Sequence, residues 1–204
     1  MKLKICGMKY AGNIREVSGL SPDYMGFIFY PGSKRYVGPD FAMPELNPEI
    51  NKVGVFVNES LENILAMVRK HGLDLVQLHG DEPAEFCGRV QEHVKVIKAF
   101  GLNEHFDFSC LEEYSSCCEY FLFDSKTSGY GGSGKSFDRN ILKDYKLKKP
   151  FFLSGGIDAN IASGLRTDDP GGLFGIDVNS KFESEPGLKD LHKLKLLKDE
   201  LSGK

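Results

Sequence analysis

One recurrence constrains this chain more than any other feature. A short apolar run rich in β-branched or aromatic residues, followed by Gly or polar residues, occurs eight times. The runs lie at 3–5 (LKI), 25–29 (MGFIF), 53–57 (VGVFV), 73–78 (LDLVQL), 94–100 (VKVIKAF), 120–123 (YFLF), 151–153 (FFL) and 174–178 (FGIDV). Each has strand length, and an unbroken apolar run marks a strand buried on both faces. Helical spacing fills several gaps. Leu61, Ile64, Leu65 and Val68 predict a helix, with Asn58, Ser60 and Glu62 as capping material near its start. Ile141, Leu142 and Tyr145 predict a second over 138–145, and Leu188, Leu191, Leu194, Leu196 and Leu197 a third over 188–197. Pro39, Pro44 and Pro48 allow only a broken or very short helix after the second run. The stretch 101–119 has no clear pattern.

Strands alternating with helices pair in parallel. The expected class is therefore α/β, either a (β/α)8 TIM barrel or an open doubly wound sheet. Eight units favour closure, although 204 residues is at the small end for a barrel. No Ser/Gly/Pro-rich linker interrupts the chain, so residues 1–204 are expected to form one compact domain.

Charge and cysteine usage narrow the function classes. The net charge of −3 carries no basic excess, so no nucleic-acid partner is expected. The first residues, MKLKICGMKY, hold no apolar signal-peptide core, and no run approaches the ~20 residues of a membrane span. A cytoplasmic protein with no membrane partner is expected. The five cysteines are irregularly spaced, with no C-x-x-C pair, so neither a metal site nor a disulfide framework is indicated.

Residues 129–136, GYGGSGKS, match the nucleotide-binding P-loop pattern letter for letter. The context does not fit. A P-loop joins a strand directly to a helix, so that backbone amides and the helix N-terminus hold phosphate. Here Asp124-Ser-Lys-Thr-Ser128 intervenes after YFLF, and about five candidate strands come first. A nucleoside triphosphatase would need a magnesium partner such as Asp177. What remains is a glycine-rich loop with exposed amides and the cation of Lys135: an anion-binding lid or a plain surface loop.

In a barrel, chemistry gathers where strands end. Lys4 and Cys6 share a face of the first strand, and an inward ammonium beside a thiol favours the thiolate, making Cys6 a candidate base. A buried core cysteine is the equal alternative. Tyr120, Leu122 and Asp124 share a face of the sixth strand. Asp124 is either a catalytic carboxylate or a turn cap, and burial near a thiolate would hold its proton, as a general acid needs. Arg35 can grip a carboxylate through two parallel hydrogen bonds, or be a solvated surface arginine. Gln77 and His79 both point inward from the fourth strand. Gly155 and Gly156 follow the seventh strand, and Asp177, Asn179 and Ser180 end the eighth, where barrels place phosphate.

Several motifs then fall in the order of one family. They are Lys4-Ile-Cys-Gly7, Gly26-Phe-Ile-Phe29, Ser33-Lys-Arg-Tyr36, Val53-Gly-Val-Phe56, Gln77-Leu-His-Gly80, Asp124-Ser125 with Gly131-Gly-Ser-Gly-Lys135, Gly155-Gly156, Gly175-Ile-Asp-Val178 and Pro186-Gly-x-Lys-Asp190. In this order the chain, from residue 2 to about 195, resembles the phosphoribosylanthranilate isomerases. The resemblance implies an aldose–ketose isomerase of tryptophan biosynthesis, a monomer or homodimer, that rearranges phosphoribosylanthranilate without a metal or organic cofactor. It implies Asp124 as general acid and Cys6 as general base. It places Arg35 on the anthranilate carboxylate, His79 and Asp177 at the substrate, and Gly155, Gly156, Asn179 and Ser180 at the phosphate. Gly131 and Gly132 belong to a loop closing over them. Where the family commonly reads Val-Ser-Ser-Gly-Val-Glu, this chain reads Val178-Asn-Ser-Lys-Phe-Glu183, so Lys181 replaces a glycine beside the phosphate. Other phosphate-binding barrel enzymes, or a silent ligand-binding barrel, are the competing readings.

Overall fold

The computed structural model describes residues 1–125, 139–158, 164 and 171–202. Eight parallel strands close into a barrel in sequence order. They are β1 (Lys2–Ile5), β2 (Tyr24–Ile28), β3 (Asn51–Phe56), β4 (Leu75–Leu78), β5 (Lys95–Leu102), β6 (Tyr120–Ser125), β7 (Phe151–Leu153) and β8 (Leu173–Val178). Each contains or overlaps one of the eight apolar runs. The β1–β8 pairing closes the ring and sets Lys4 opposite Asp177. This excludes the open sheet.

Two apolar clusters follow from strand alternation. The smaller fills the inside of the barrel with Tyr24, Val53, Leu75, Ile97, Leu122 and Phe152, against Tyr120 and Phe174. Its rings meet edge to face or stacked, with Tyr24–Phe152 centroids 5.2 Å apart and Tyr120–Phe174 4.6 Å apart. The larger cluster lies between strands and helices and includes Ile5, Phe27, Phe56, Phe121, Phe123 and Phe151. Burying each such side chain stabilises by about 1.5–3 kcal/mol.

The helix over 61–68 forms as α2 (Leu61–His71), after α1 (Ala11–Ser18). Ser60 Oγ accepts from the Asn63 amide, and Gly72 ends α2 in the left-handed conformation. Asn58 instead ties two loops together, its amide donating to Glu82 and its Oδ1 accepting from the Asp81 amide. The segment over 138–145 forms a 3-10 helix, Arg139–Asp144, rather than an α-helix. Leu142 and Tyr145 still pack inward, and the Tyr145 amide donates to Leu142.

The last helix also differs from expectation. Leu188 belongs to a short strand, β10 (Leu188–Lys189), paired antiparallel with β9 (Glu183–Glu185). Gly187, at φ 91°, turns this hairpin. Asp190 Oδ1 then accepts from the amides of His192 and Lys193, so α4 (Leu191–Ser202) starts later than leucine spacing alone suggests. Helices α1 and α3 (Ala84–Gln91) carry no capping side-chain bond, and each has eight residues, too short for a firm period. Within 101–119, β5 continues to Leu102 and a 3-10 helix runs Phe108–Tyr114.

Candidate active site

The carboxyl ends of the strands surround a cleft of about 540 Å³. Cys6, Arg35, His79, Asp124, Gly155, Gly156, Asp177, Asn179 and Ser180 all line it. Gly131 and Gly132, with the rest of the 129–136 loop, lie outside the described residues.

On the β1 side, Cys6 is buried, and its amide is tied to Val178 O at 2.9 Å. Gly26 on β2 makes the room: a Cβ there would stand 2.7 Å from the Cys6 sulfur. Beneath the thiol, Lys4 Nζ lies 2.9 Å from Asp177 Oδ1, both almost wholly buried. Burial opposes the Lys4 charge, but Asp177 and Cys6 outweigh it and hold Lys4 above its ordinary value. The expectation that Lys4 simply favours a thiolate needs correction. Burial pushes the Cys6 thiol up, and the Asp177 charge adds to this, against the pull of Lys4 and Lys189. Burial outweighs the pull of the two ammoniums, so the resting Cys6 is a thiol.

On the facing side, Gln77 and His79 project from β4 and its end, and Asp124 from β6. Gln77 Nε2 lies 2.7 Å from His79 Nδ1. An amide N–H donating there leaves the imidazole proton on Nε2, which faces Asp124 Oδ2 at 3.8 Å. Desolvation, then the cations of Lys4 and Lys98, push His79 down to about 4, so the ring is neutral at physiological pH. Asp124 is only partly buried, its side chain 33% exposed, so the burial that would hold its proton is incomplete. The turn that carries His79 is braced from behind. Glu82 accepts from the Asn58 and Gly80 amides, while Lys98 Nζ reaches Glu82 at 2.9 Å and Gly80 O at 2.7 Å.

Arg35 is not a solvated surface arginine. Its Nε and Nη2 hold both carboxylate oxygens of Glu183 at 2.7–3.0 Å, and its side chain is 20% exposed. Gly7, at φ 75°, permits this placement, because a Cβ would stand 2.6 Å from Arg35 Cδ. Glu183 in turn meets Lys189 Nζ at 2.6 Å, and Lys189 also reaches Asn179 Oδ1 at 2.7 Å. Burial works to raise Glu183, yet the Arg35 hydrogen bonds and the Lys189 charge leave it below its ordinary range. Asn179 is thus already engaged through its side-chain oxygen. Gly155 and Gly156, at φ 88° and 65°, adopt a conformation suited to glycine and present bare backbone to the cleft. Ser180 and Lys181 are exposed at the cleft beside them.

Strand-end reasoning assigns no role to Glu183 or Lys189, although both sit inside motifs. Their signal is an acidic residue and a lysine flanking a Pro-Gly turn, which becomes a hairpin only once Gly187 is placed. Gln77 is the third addition: its orientation of His79 depends on a 2.7 Å contact that alternation alone does not specify.

Comparison with known proteins adds independent findings. A family model described as "PRAI: N-(5'phosphoribosyl)anthranilate (PRA) isomerase" matches residues 3–200. The chain is 45% identical over 202 residues to the N-(5'-phosphoribosyl)anthranilate isomerase of Parabacteroides distasonis, covering 96% of this chain and 90% of that protein. It superposes on the phosphoribosyl anthranilate isomerase of Thermotoga maritima with a TM-score of 0.85, at 35% identity and full coverage of both chains. A phosphoribosyl anthranilate isomerase solved in complex with reduced 1-(o-carboxyphenylamino)-1-deoxyribulose 5-phosphate also matches, with a TM-score of 0.81, 31% identity and full coverage of both.

Proposed function

The chain belongs to the N-(5'-phosphoribosyl)anthranilate isomerase family, and from that membership we propose how its own residues carry the reaction. The activity is the isomerisation step of tryptophan biosynthesis, an Amadori rearrangement of N-(5-phosphoribosyl)anthranilate to 1-(2-carboxyphenylamino)-1-deoxyribulose 5-phosphate.

Asp124 donates a proton to the furanose ring oxygen, and the C1–O bond breaks. The nitrogen lone pair forms the C1=N bond, leaving a protonated imine. The His79 Nε2–H faces the carboxylate this step creates and steadies it without itself carrying charge. The imine acidifies the neighbouring C2–H. Its positive charge also favours the Cys6 thiolate, against the burial that keeps the resting thiol protonated, and the thiol's proton leaves to solvent in the cleft. The thiolate takes the C2 proton. The electron pair of that bond forms C1=C2 and neutralises the nitrogen. The resulting enolamine tautomerises: C1 gains a proton, the C2 hydroxyl loses one, and the ketone forms. Arg35 holds the anthranilate carboxylate. Gly155, Gly156 and Ser180 receive the phosphate through backbone amides and a hydroxyl, with Asn179 and Lys181 beside them.

The observation that carries this reading is that Cys6, just after β1, and Asp124, on β6, line the same cleft as Arg35. The substrate's fluorescence decay, with phosphoribosylanthranilate generated from anthranilate and phosphoribosyl pyrophosphate, tests it. Wild type should quench the signal rapidly, and Cys6→Ala and Asp124→Asn should slow it by orders of magnitude. Full activity in either variant would remove that residue from the chemistry.

A further inference from the structure

Arg35 enters the cleft already committed. Two of its three guanidinium nitrogens, Nε and Nη2, grip Glu183, and Nη1 makes no hydrogen bond among the described residues. The side chain of Glu183 is only 4% exposed, so its carboxylate is not a surface group taking a passing counter-ion. It has been brought there by the β9–β10 hairpin. Both arms of the hairpin are fastened. Lys189 is anchored by Asn13 of α1, whose Oδ1 accepts from the Lys189 amide at 2.7 Å and whose Nδ2 donates to Lys189 O at 3.0 Å. Glu183 Oε1 also accepts from the Gly187 amide at 3.1 Å. Besides Arg35, the Glu183 carboxylate is therefore held by two groups, the Gly187 amide and Lys189 Nζ, and the Lys189 backbone is itself pinned to α1.

A long arginine side chain from the loop after β2 has many rotamers and loses that freedom on binding. Holding one edge of the fork on a fixed carboxylate removes that freedom in advance. It leaves Nη1, and the outer face of Nη2, for a second carboxylate. Lys189 complements this arrangement. Arg35 and a ligand carboxylate neutralise each other, so Glu183 would be left with surplus buried charge unless a second cation stood by, and Lys189 Nζ stands 2.6 Å away.

We propose that Glu183 is a positioning residue for carboxylate recognition: it aims Arg35 at the anthranilate carboxylate, with Lys189 as its permanent counter-ion. The proposal rests on the reading that Arg35 holds that carboxylate. Glu183 touches no reacting atom, so its effect is on selective affinity for carboxylated ligands and not on proton transfer. The same ion chain ends on Asn179 Oδ1, which joins the carboxylate grip to the loop after β8.

The test uses two stable probes: the reduced product, 1-(2-carboxyphenylamino)-1-deoxyribitol 5-phosphate, and its phenylamino counterpart without the carboxylate. Dissociation constants for both are measured by titration calorimetry on wild type, Arg35→Met, Glu183→Gln, Glu183→Asp and the Arg35→Met/Glu183→Gln double variant. The readout is the ratio of the two constants, from which a general loosening of the fold cancels. Wild type should prefer the carboxylated probe. Glu183→Gln should cut that preference about tenfold or more while leaving the phenylamino probe within about twofold, and Glu183→Asp should restore part of it. In the Arg35→Met background Glu183→Gln should change nothing further. If Arg35→Met keeps the wild-type ratio, the Arg35 reading itself fails. If Arg35→Met abolishes the preference but Glu183→Gln keeps it, Arg35 stands and the positioning role is overturned. Should Glu183→Gln alone not fold, Glu183→Gln/Lys189→Met removes both buried charges together and carries the same ratio test.

Discussion

The two sides of the cleft hold the proposed acid and base by different physics. On the β4–β6 side, Asp124 faces a neutral imidazole whose proton is directed by Gln77, and the turn behind it is braced by a closed Lys98–Glu82 network. On the β1–β8 side, Cys6 sits among buried charges: Lys4, Asp177 and Lys189. The acid side is set by orientation and the base side by charge. Perturbing charge should therefore move the pH behaviour of the base, while perturbing hydrogen bonding should move the geometry around the acid.

The largest effects should come from the reacting groups. Cys6→Ser and Asp124→Asn should each lower kcat by about 10²–10⁴-fold with the fold intact, measured by single-turnover fluorescence. Next is Asp177→Asn. It strands the buried Lys4 ammonium and should destabilise the protein by about 3–5 kcal/mol in urea unfolding. It should also shift catalysis. A base must be unprotonated, so activity rises with pH through the Cys6 titration. The Asp177 charge raises that titration, so removing it should move the rising limb to lower pH. A limb that stays in place would mean that charge does not set the base.

His79 predicts a smaller, oppositely arranged effect. From its ordinary 6.5 down to about 4, the unfolded chain binds a proton on His79 that the folded protein excludes. Its contribution is fully present above pH 6.5 and is lost as pH falls through this window. Unfolding measured at pH 4.5 and 7 should show this loss in wild type and a smaller one in His79→Gln. The smallest effect belongs to Lys181. Lys181→Met should raise KM about two- to fivefold at low salt, and the difference should fade as salt rises.

Much of this was legible in the sequence, for a definite reason. Strands buried on both faces advertise themselves as apolar runs, so all eight appear without any structure. Polar residues at their ends, such as Cys6, His79 and Asp124, stand out against those runs, and alternation tells which share a face. The family order of short motifs then supplied the reaction. Less visible was whatever depends on two segments meeting. Glu183 and Lys189 acquire meaning only when the hairpin swings them under Arg35, a residue 148 positions away from Glu183 in the chain. The thiol state of Cys6 likewise reflects its burial among Lys4, Asp177 and Lys189, which come together only when β8 closes on β1. Short helices such as α1 failed to show because eight residues without a cap carry too little period.

The division of labour between Asp124 and Cys6 is the central claim, and substrate deuterated at ribose C2 addresses it most directly. In the proposed order, ring opening comes first and does not break the C2–H bond, and Cys6 breaks it afterwards. Single-turnover rates of Cys6→Ser should therefore show a full primary deuterium effect, because proton removal has become the slow step. Asp124→Asn should show almost none, because ring opening now limits the rate. Equal isotope effects in the two variants, or a large one only in Asp124→Asn, would contradict the assignment of acid and base.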